Sequence, residues 1–290
     1  MATIELTAGV TGKPRELQGF LNRIVYHPAA RRLAALLAPT PVTPNMVSVA
    51  GAAMVVAAGI LYAIVGGALG IALGFALHVA WHVVDGADGD LARMTGRASP
   101  IGEVVDGLCD YGGHLVLYLL LGALLDDTFG WVAWVLAVGA GLSRVVQSVF
   151  AESSRRTYQW WAYGVSWLGQ NRAAQGGIGA AGRLYVWISE AVTGPTQRVN
   201  ALVASAEHDP IERRRIAMLA REAGRSTLPL QQALGANPRT IILGVSMIAG
   251  SPLWFFLVEI VVLNAVLTVA FLQQAASCRR LVGLIARGRE

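Results

Sequence analysis

Two pairs of aspartates stand close together in the stretch DGADGDLARMTGRASPIGEVVDGLCD, residues 85–110. Asp85 and Asp88 are three residues apart, and Asp106 and Asp110 four, so on helices each pair shares one face. A short basic, glycine-containing hinge joins the pairs and can turn the second helix back on the first. Converging carboxylates repel unless something positive lies between them. An all-oxygen donor set suits a hard cation such as Mg²⁺ or Mn²⁺, whereas zinc would ask for His or Cys. Gly89 leaves open backbone beside the acids, Ala92 keeps the next turn small, and Gly102 opens the following helix as closely. Arg93, one turn on, can reach a phosphate oxygen. Metal, arginine and small residues together describe a pyrophosphate site. Acids paired with arginines in a solvated loop are the plain alternative, and membrane-length apolar runs on either side weigh against it.

The elements that must carry these residues are membrane helices. The chain has 290 residues, 54% hydrophobic and 14% charged, with mean hydropathy +0.52. Soluble domains carry about 25% charged residues, so the composition excludes an ordinary soluble enzyme. The ten-residue alternation of an outer-membrane barrel is missing. The expected fold is an all-α integral membrane protein. It has six transmembrane helices, an N-terminal amphipathic interfacial helix, and a helical cytoplasmic insertion between helices four and five. The spans are expected near 46–65, 68–91, 103–125, 129–150, 240–258 and 260–278, each about the twenty residues a bilayer needs. Asp126 and Asp127 fall in the expected turn after the third. The corresponding regions are an arm 1–44, a catalytic membrane part 45–150, an insertion 151–238, and a closing pair of spans with a basic tail, 239–290.

In the arm, Leu17, Phe20, Leu21, Ile24 and Val25 form one stripe flanked by arginines, with Pro28 bending or restarting the helix. Three prolines at 39, 41 and 44 then turn the chain, and Asn45 opens the first span. His78 and His82 lie on the second span. A membrane histidine more often bonds a neighbouring helix than binds metal, although His82 is one turn from Asp85 and could support the acids. Arg144 is an intramembrane charge, a functional candidate by default. The run RRTYQWWAYG, 155–164, looks interfacial, with aromatics beside Arg155 and Arg156. The glycines of 176–182 lack the Lys-Ser/Thr of a phosphate loop. Asp209, Pro210 and Glu212 spell a helix start, and Gly224 a helix end.

Of the lysine and arginines, five lie in the arm, two in the hinge, eleven between Ala151 and Thr240, and four in the tail; Arg144 is the remaining one. The opposite turns hold none. This asymmetry puts both termini, the hinge and the four acids on the cytoplasmic side, in a multi-pass protein expected in a bacterial inner membrane. The net charge of +5 suits anionic headgroups or a phosphate-bearing substrate. Cys109 and Cys278 form no disulfide framework or zinc spacing. No cleavable signal peptide and no N-x-S/T acceptor are expected.

Eight positions fit D-x2-D-G-x2-A-R-x8-G-x3-D-x3-D without a gap: Asp85, Asp88, Gly89, Ala92, Arg93, Gly102, Asp106 and Asp110. In these the chain resembles the CDP-alcohol phosphotransferases, and the Thr43-Pro44-Asn45 turn and six-span layout are similar too. The resemblance covers about 14–150. It implies transfer of a phosphoryl-alcohol group from a CDP-linked donor to an acceptor alcohol in phospholipid synthesis, with release of CMP. It further implies two divalent ions on Asp85, Asp88, Asp106 and Asp110, with Asp110 also the general base. Asn45, Asp85, Gly89, Ala92, Arg93 and Gly102 would line the nucleotide pocket.

Two substrate patterns stay open. The hinge is similar to enzymes that move a polar head group onto a lipid alcohol. Others use CDP-diacylglycerol and a polar acceptor such as inositol or glycerol phosphate, where Arg144, Arg155 or Arg156 would bind the acceptor phosphate. The expected partners are donor, acceptor and membrane lipid, with no nucleic acid; a homodimer is compatible with the small residues of the spans. A cation transporter would also carry intramembrane acids, but these acids sit at span ends on one side and lack broken-helix repeats.

Overall fold

The structure is a computed structural model that describes residues 15–165, 187–188 and 191–287. The glycine run 176–182 lies outside them. Every described element is helical, and five helices are long and apolar enough to cross a membrane. The chain is a multi-pass integral membrane protein.

Two compact units make up the chain. One comprises Gly19–Arg144 and Ala236–Val262; the other comprises Met1–Gln18, Val145–Gly235 and Leu263–Glu290. The first begins with a π-turn, Asn22–Tyr26, and helix α1, His27–Leu37. Pro28 has no N–H for the carbonyl four residues back, and the π register sits at that gap. Phe20, Ile24 and Val25 are exposed. Leu17 departs from that stripe: it is buried with Tyr158, Ala162 and Leu228 of the other unit's own core.

Helix α2, Pro44–Ile60, is capped by Thr43, whose hydroxyl accepts from Met46 N. A π-turn, Leu61–Val65, then leads to Gly66 and Gly67 at φ 59° and 58°, a left-handed step open to glycine. Helix α3, Gly67–Met94, and helix α4, Pro100–Phe129, follow. Between them Gly96, at φ 66°, closes α3, with Arg97 N donating to Ala92 O. Ser99 then caps α4 by accepting from Gly102 N at 3.0 Å. This short connection turns the two acid-bearing helix ends back on one another. Helix α2 packs against both. Gly113 allows it: a Cβ there would lie 3.2 Å from Ala52 Cα. The core beneath is built from Val55, Tyr62, Leu117, Leu121, Phe255 and Phe256.

Three expected boundaries move. Helix α4 runs to Phe129, so Asp126 and Asp127 belong to its last turn, and Trp134 Nε1 donates to Asp126 Oδ1. Helix α5, Trp131–Tyr163, runs well past 150, so the aromatic run that starts at Arg155 forms the end of a membrane-length helix. No breaker interrupts it before Gly164, at φ 70°. The apolar stretch 240–278 breaks near 250, not near 259. Gly250 at φ 90° and Pro252 stop the helix there, and Val258–Val262 is a π-turn inside the continuous segment Leu253–Arg287.

In the second unit, helix α6, Gln197–Ser205, and helix α7, Pro210–Gly224, pack with Trp160, Trp161 and Leu281. Asp209 caps α7, accepting from Ile211 N and Glu212 N. Arg213 then donates to the carbonyls of Trp160 and Trp161, and Arg221 to that of Ala162. The last carbonyls of α5 have no helical donors, and two cations of α7 supply them where the helix dipole is negative.

Further described helices are α8, Leu228–Ala233, α9, Ala236–Ile248, α10, Leu253–Leu257, and α11, Leu263–Arg287.

Candidate active site

All four motif aspartates lie in the first unit. Asp85 is half-buried on α3, one turn before Asp88. Asp88 is buried, and its Oδ2 accepts from Ser48 Oγ of α2 at 2.6 Å. Across from it, Asp106 of α4 lies in hydrogen-bonding contact with the Asp88 carboxyl. Two acids that touch must share a proton or a cation. The acidic ends of α3 and α4 therefore meet, with α2 holding one of the acids in place.

Asp110 lies one turn deeper on α4. His114 Nδ1 is 2.8 Å from the Asp110 carbonyl and 3.0 Å from Oδ1. Both oxygens are acceptors, so Nδ1 carries the proton. The bond is directed at the carbonyl, and Oδ1 is buried with no well-aligned donor of its own. Arg144, buried on α5, hydrogen-bonds Tyr118 and lies in electrostatic reach of Asp110. Tyr118 in turn donates to Glu259 at 3.0 Å, and Arg239 Nε donates to the same oxygen at 2.9 Å. A buried polar chain thus runs inward from Asp110.

The small residues of the motif line the same end. At Gly89 a Cβ would meet only the Arg93 guanidinium, at 3.4 Å. At Gly102 it would meet Ser99 Oγ at 3.2 Å and Asn45 Oδ1 at 3.7 Å, which puts Asn45 beside the start of α4. Ala92 is half-buried in the last turn of α3. Arg93 is 69% exposed and pairs with Asp90 at 2.6 Å. Such an exposed pair is worth about 0–1 kcal/mol, little to give up for a phosphate.

Arg155 and Arg156 lie in the other unit, where both hold Glu152. His82 takes the helix-to-helix role: its Nε2 is 2.9 Å from Thr240 Oγ1, and its ring stacks on Tyr26. Ser48, Asp90 and His114 were passed over in the sequence. The last two carried a local signal, three and four residues from Arg93 and Asp110. Ser48 carried none.

Carboxylate oxygens are the donors here, with one buried oxygen lacking a donor and two acids in contact. That chemistry fits a hard divalent cation. Among the described residues, no three His, Cys, Asp or Glu side chains already stand around one point. Comparison with curated proteins finds no match. The family model for CDP-alcohol phosphatidyltransferase matches residues 41–194, which include the whole motif and just over half of the chain. The chain belongs to the CDP-alcohol phosphatidyltransferase family.

Proposed function

We propose that this transferase moves a phosphoryl-alcohol group from a CDP-linked donor to an acceptor alcohol at the membrane surface by direct displacement. The observation that carries the reading is the meeting of Asp88 and Asp106 at adjoining helix ends inside an unbroken eight-residue motif. The family is generally divalent-metal dependent. Asp85, Asp88, Asp106 and Asp110 would hold Mg²⁺ or Mn²⁺, as two ions. A bound ion neutralises pyrophosphate charge and makes CMP a better leaving group.

The residues do the rest. Asn45, Gly89, Ala92 and Gly102 leave room for the nucleotide, and Arg93 turns from Asp90 to a phosphate oxygen. Ser48 holds Asp88 in place. The acceptor oxygen attacks the phosphorus that bears the donor's alcohol, and the bond from that phosphorus to CMP breaks. Asp110 takes the hydroxyl proton.

The leading donor is a CDP-linked polar head group and the leading acceptor a lipid alcohol, since Arg155 and Arg156 are already engaged by Glu152. CDP-diacylglycerol with a polar phosphate acceptor is favoured instead by Arg144, the buried cation nearest Asp110. A family of transferases leaves no place for the transporter alternative.

Six spans complete the reading, with Ala236–Ile248 as a short fifth. That parity keeps the arm, hinge, insertion and tail arginines on one cytoplasmic side. The arm lies in the interface, and the insertion is cytoplasmic and helical.

CMP release should need Mg²⁺ or Mn²⁺ and vanish in Asp110→Asn while the protein stays folded. Mass spectrometry of products from a panel of donors and acceptors assigns the alcohols. Near-normal CMP release by Asp110→Asn rejects the base assignment.

A further inference from the structure

The inference concerns His114 and rests on Asp110 acting as the base. His114 is one helical turn beyond Asp110 and only 3% exposed. Its Nδ1–H sits between two oxygens of one residue, the Asp110 carbonyl at 2.8 Å and Oδ1 at 3.0 Å. The Asp110 side chain is 33% exposed although Oδ1 is buried. The exposed part is therefore the other face, with Oδ2. One carboxylate oxygen is turned inside, 3.0 Å from His114 Nδ1, and the other faces outward.

The ring that does the holding is itself fixed. Trp81 of α3 meets it edge-on, centroids 4.7 Å apart at 74°, and His78 lies 5.7 Å away. Trp81 is seated against α2 at Gly51, where a Cβ would stand 3.4 Å from its ring. Three helices thus lock one imidazole.

We propose that His114 is the positioning residue of the base: its Nδ1–H, bonded to the Asp110 carbonyl, stands 3.0 Å from Oδ1 and draws that oxygen inward by electrostatic attraction, so that Oδ2 faces the acceptor hydroxyl. It touches neither substrate nor leaving group. Its loss should slow the chemical step and leave donor binding intact.

The test compares three variants of the full-length protein with wild type and Asp110→Asn, following CMP release against donor concentration. His114→Phe keeps the ring and removes the donor. His114→Asn places an amide N–H where Nδ1 stands. His114→Gln places it where Nε2 stands. Partners of this kind are worth about 10–100-fold, so kcat of His114→Phe should fall to that extent. Its donor KM should stay within about twofold, the mark of an interaction used only in the transition state. The Asn variant should recover to within about tenfold of wild type and exceed the Gln variant.

A Phe variant with kcat within about threefold of wild type overturns the proposal, as do Asn and Gln variants that fall equally. If His114→Phe does not fold, the Asn–Gln comparison decides alone. Active Asp110→Asn sinks the base assignment underneath; inactive Asp110→Asn beside a normal His114→Phe sinks this inference only.

Discussion

Alanine at Gly89 tests whether that glycine is kept for a substrate or for packing. It lies inside α3 with a helical backbone. A Cβ added there would meet nothing nearer than the Arg93 guanidinium, at 3.4 Å, the far end of a flexible and exposed side chain. The protein alone has room for alanine. Gly-to-Ala inside a helix contributes about 0.8–1 kcal/mol, so Gly89→Ala should raise the apparent unfolding midpoint in detergent by roughly 2–4 °C. Gly244 on α9 is the control: a Cβ there would stand 2.4 Å from Phe75 Cδ2. Overpacking of that sort costs about 1–3 kcal/mol, so Gly244→Ala should lower the midpoint. Activity should move the opposite way from stability at Gly89. If the nucleotide lies against that backbone, the new methyl opposes it by a similar 1–3 kcal/mol, roughly a 10–100-fold loss in kcat/KM for CMP release. A Gly89→Ala protein that is more stable and fully active would refute the placement of the nucleotide there.

Two further expectations concern stability. Burial pushes the Glu16 carboxyl up, but hydrogen bonds from Tyr158, Tyr163 and Arg225 outweigh it and hold the carboxyl below the usual glutamate range. A depressed carboxyl stabilises above its unfolded value, and that contribution disappears as pH falls through the folded one. Glu16→Gln should therefore cost about 1 kcal/mol near neutral pH, with the gap from wild type closing in acid; a gap that persists in acid would refute the ionic origin. Arg239 and Glu259 are 2% and 0% exposed at their side chains, so Arg239→Met alone should cost about 3–5 kcal/mol by stranding a buried charge. Adding Glu259→Gln, which keeps an acceptor for Tyr118, should restore much of it in thermal unfolding. A double variant as unstable as the sum of the singles would contradict that account.

What was legible in the chain was local. The acid pairs are three and four residues apart, so a helix puts each on one face without help from anything distant. The Asp209 cap and the Gly66–Gly67 turn are equally self-contained. The misplaced boundaries share one cause: hydropathy marks where a helix can lie, and breakers mark where it stops. Gly250 and Pro252 sat inside an apolar run, and the polar residues 152–156 suggested an end to α5 that no Gly or Pro enforced. Membrane length alone does not stop a helix; a residue that cannot continue it does.

The partners of the buried polar groups were not legible, and the reason is physical. Ser48 meets Asp88 across 40 residues, Arg213 meets the end of α5 across 52 and 53, and Tyr118 meets Glu259 across 141. Nothing in the local pattern selects such a partner. It is selected because an unmatched polar group in an apolar interior costs several kcal/mol, so whichever side chain the packing brings near must supply the match. The arginines 213 and 221 show the consequence. By charge alone they argue for lipid or phosphate, yet both are directed at backbone carbonyls that a helix end leaves open. The same logic applies to the acids. Their spacing names a chemistry, but it is Ser48, 40 residues away, that decides which oxygen of Asp88 is held.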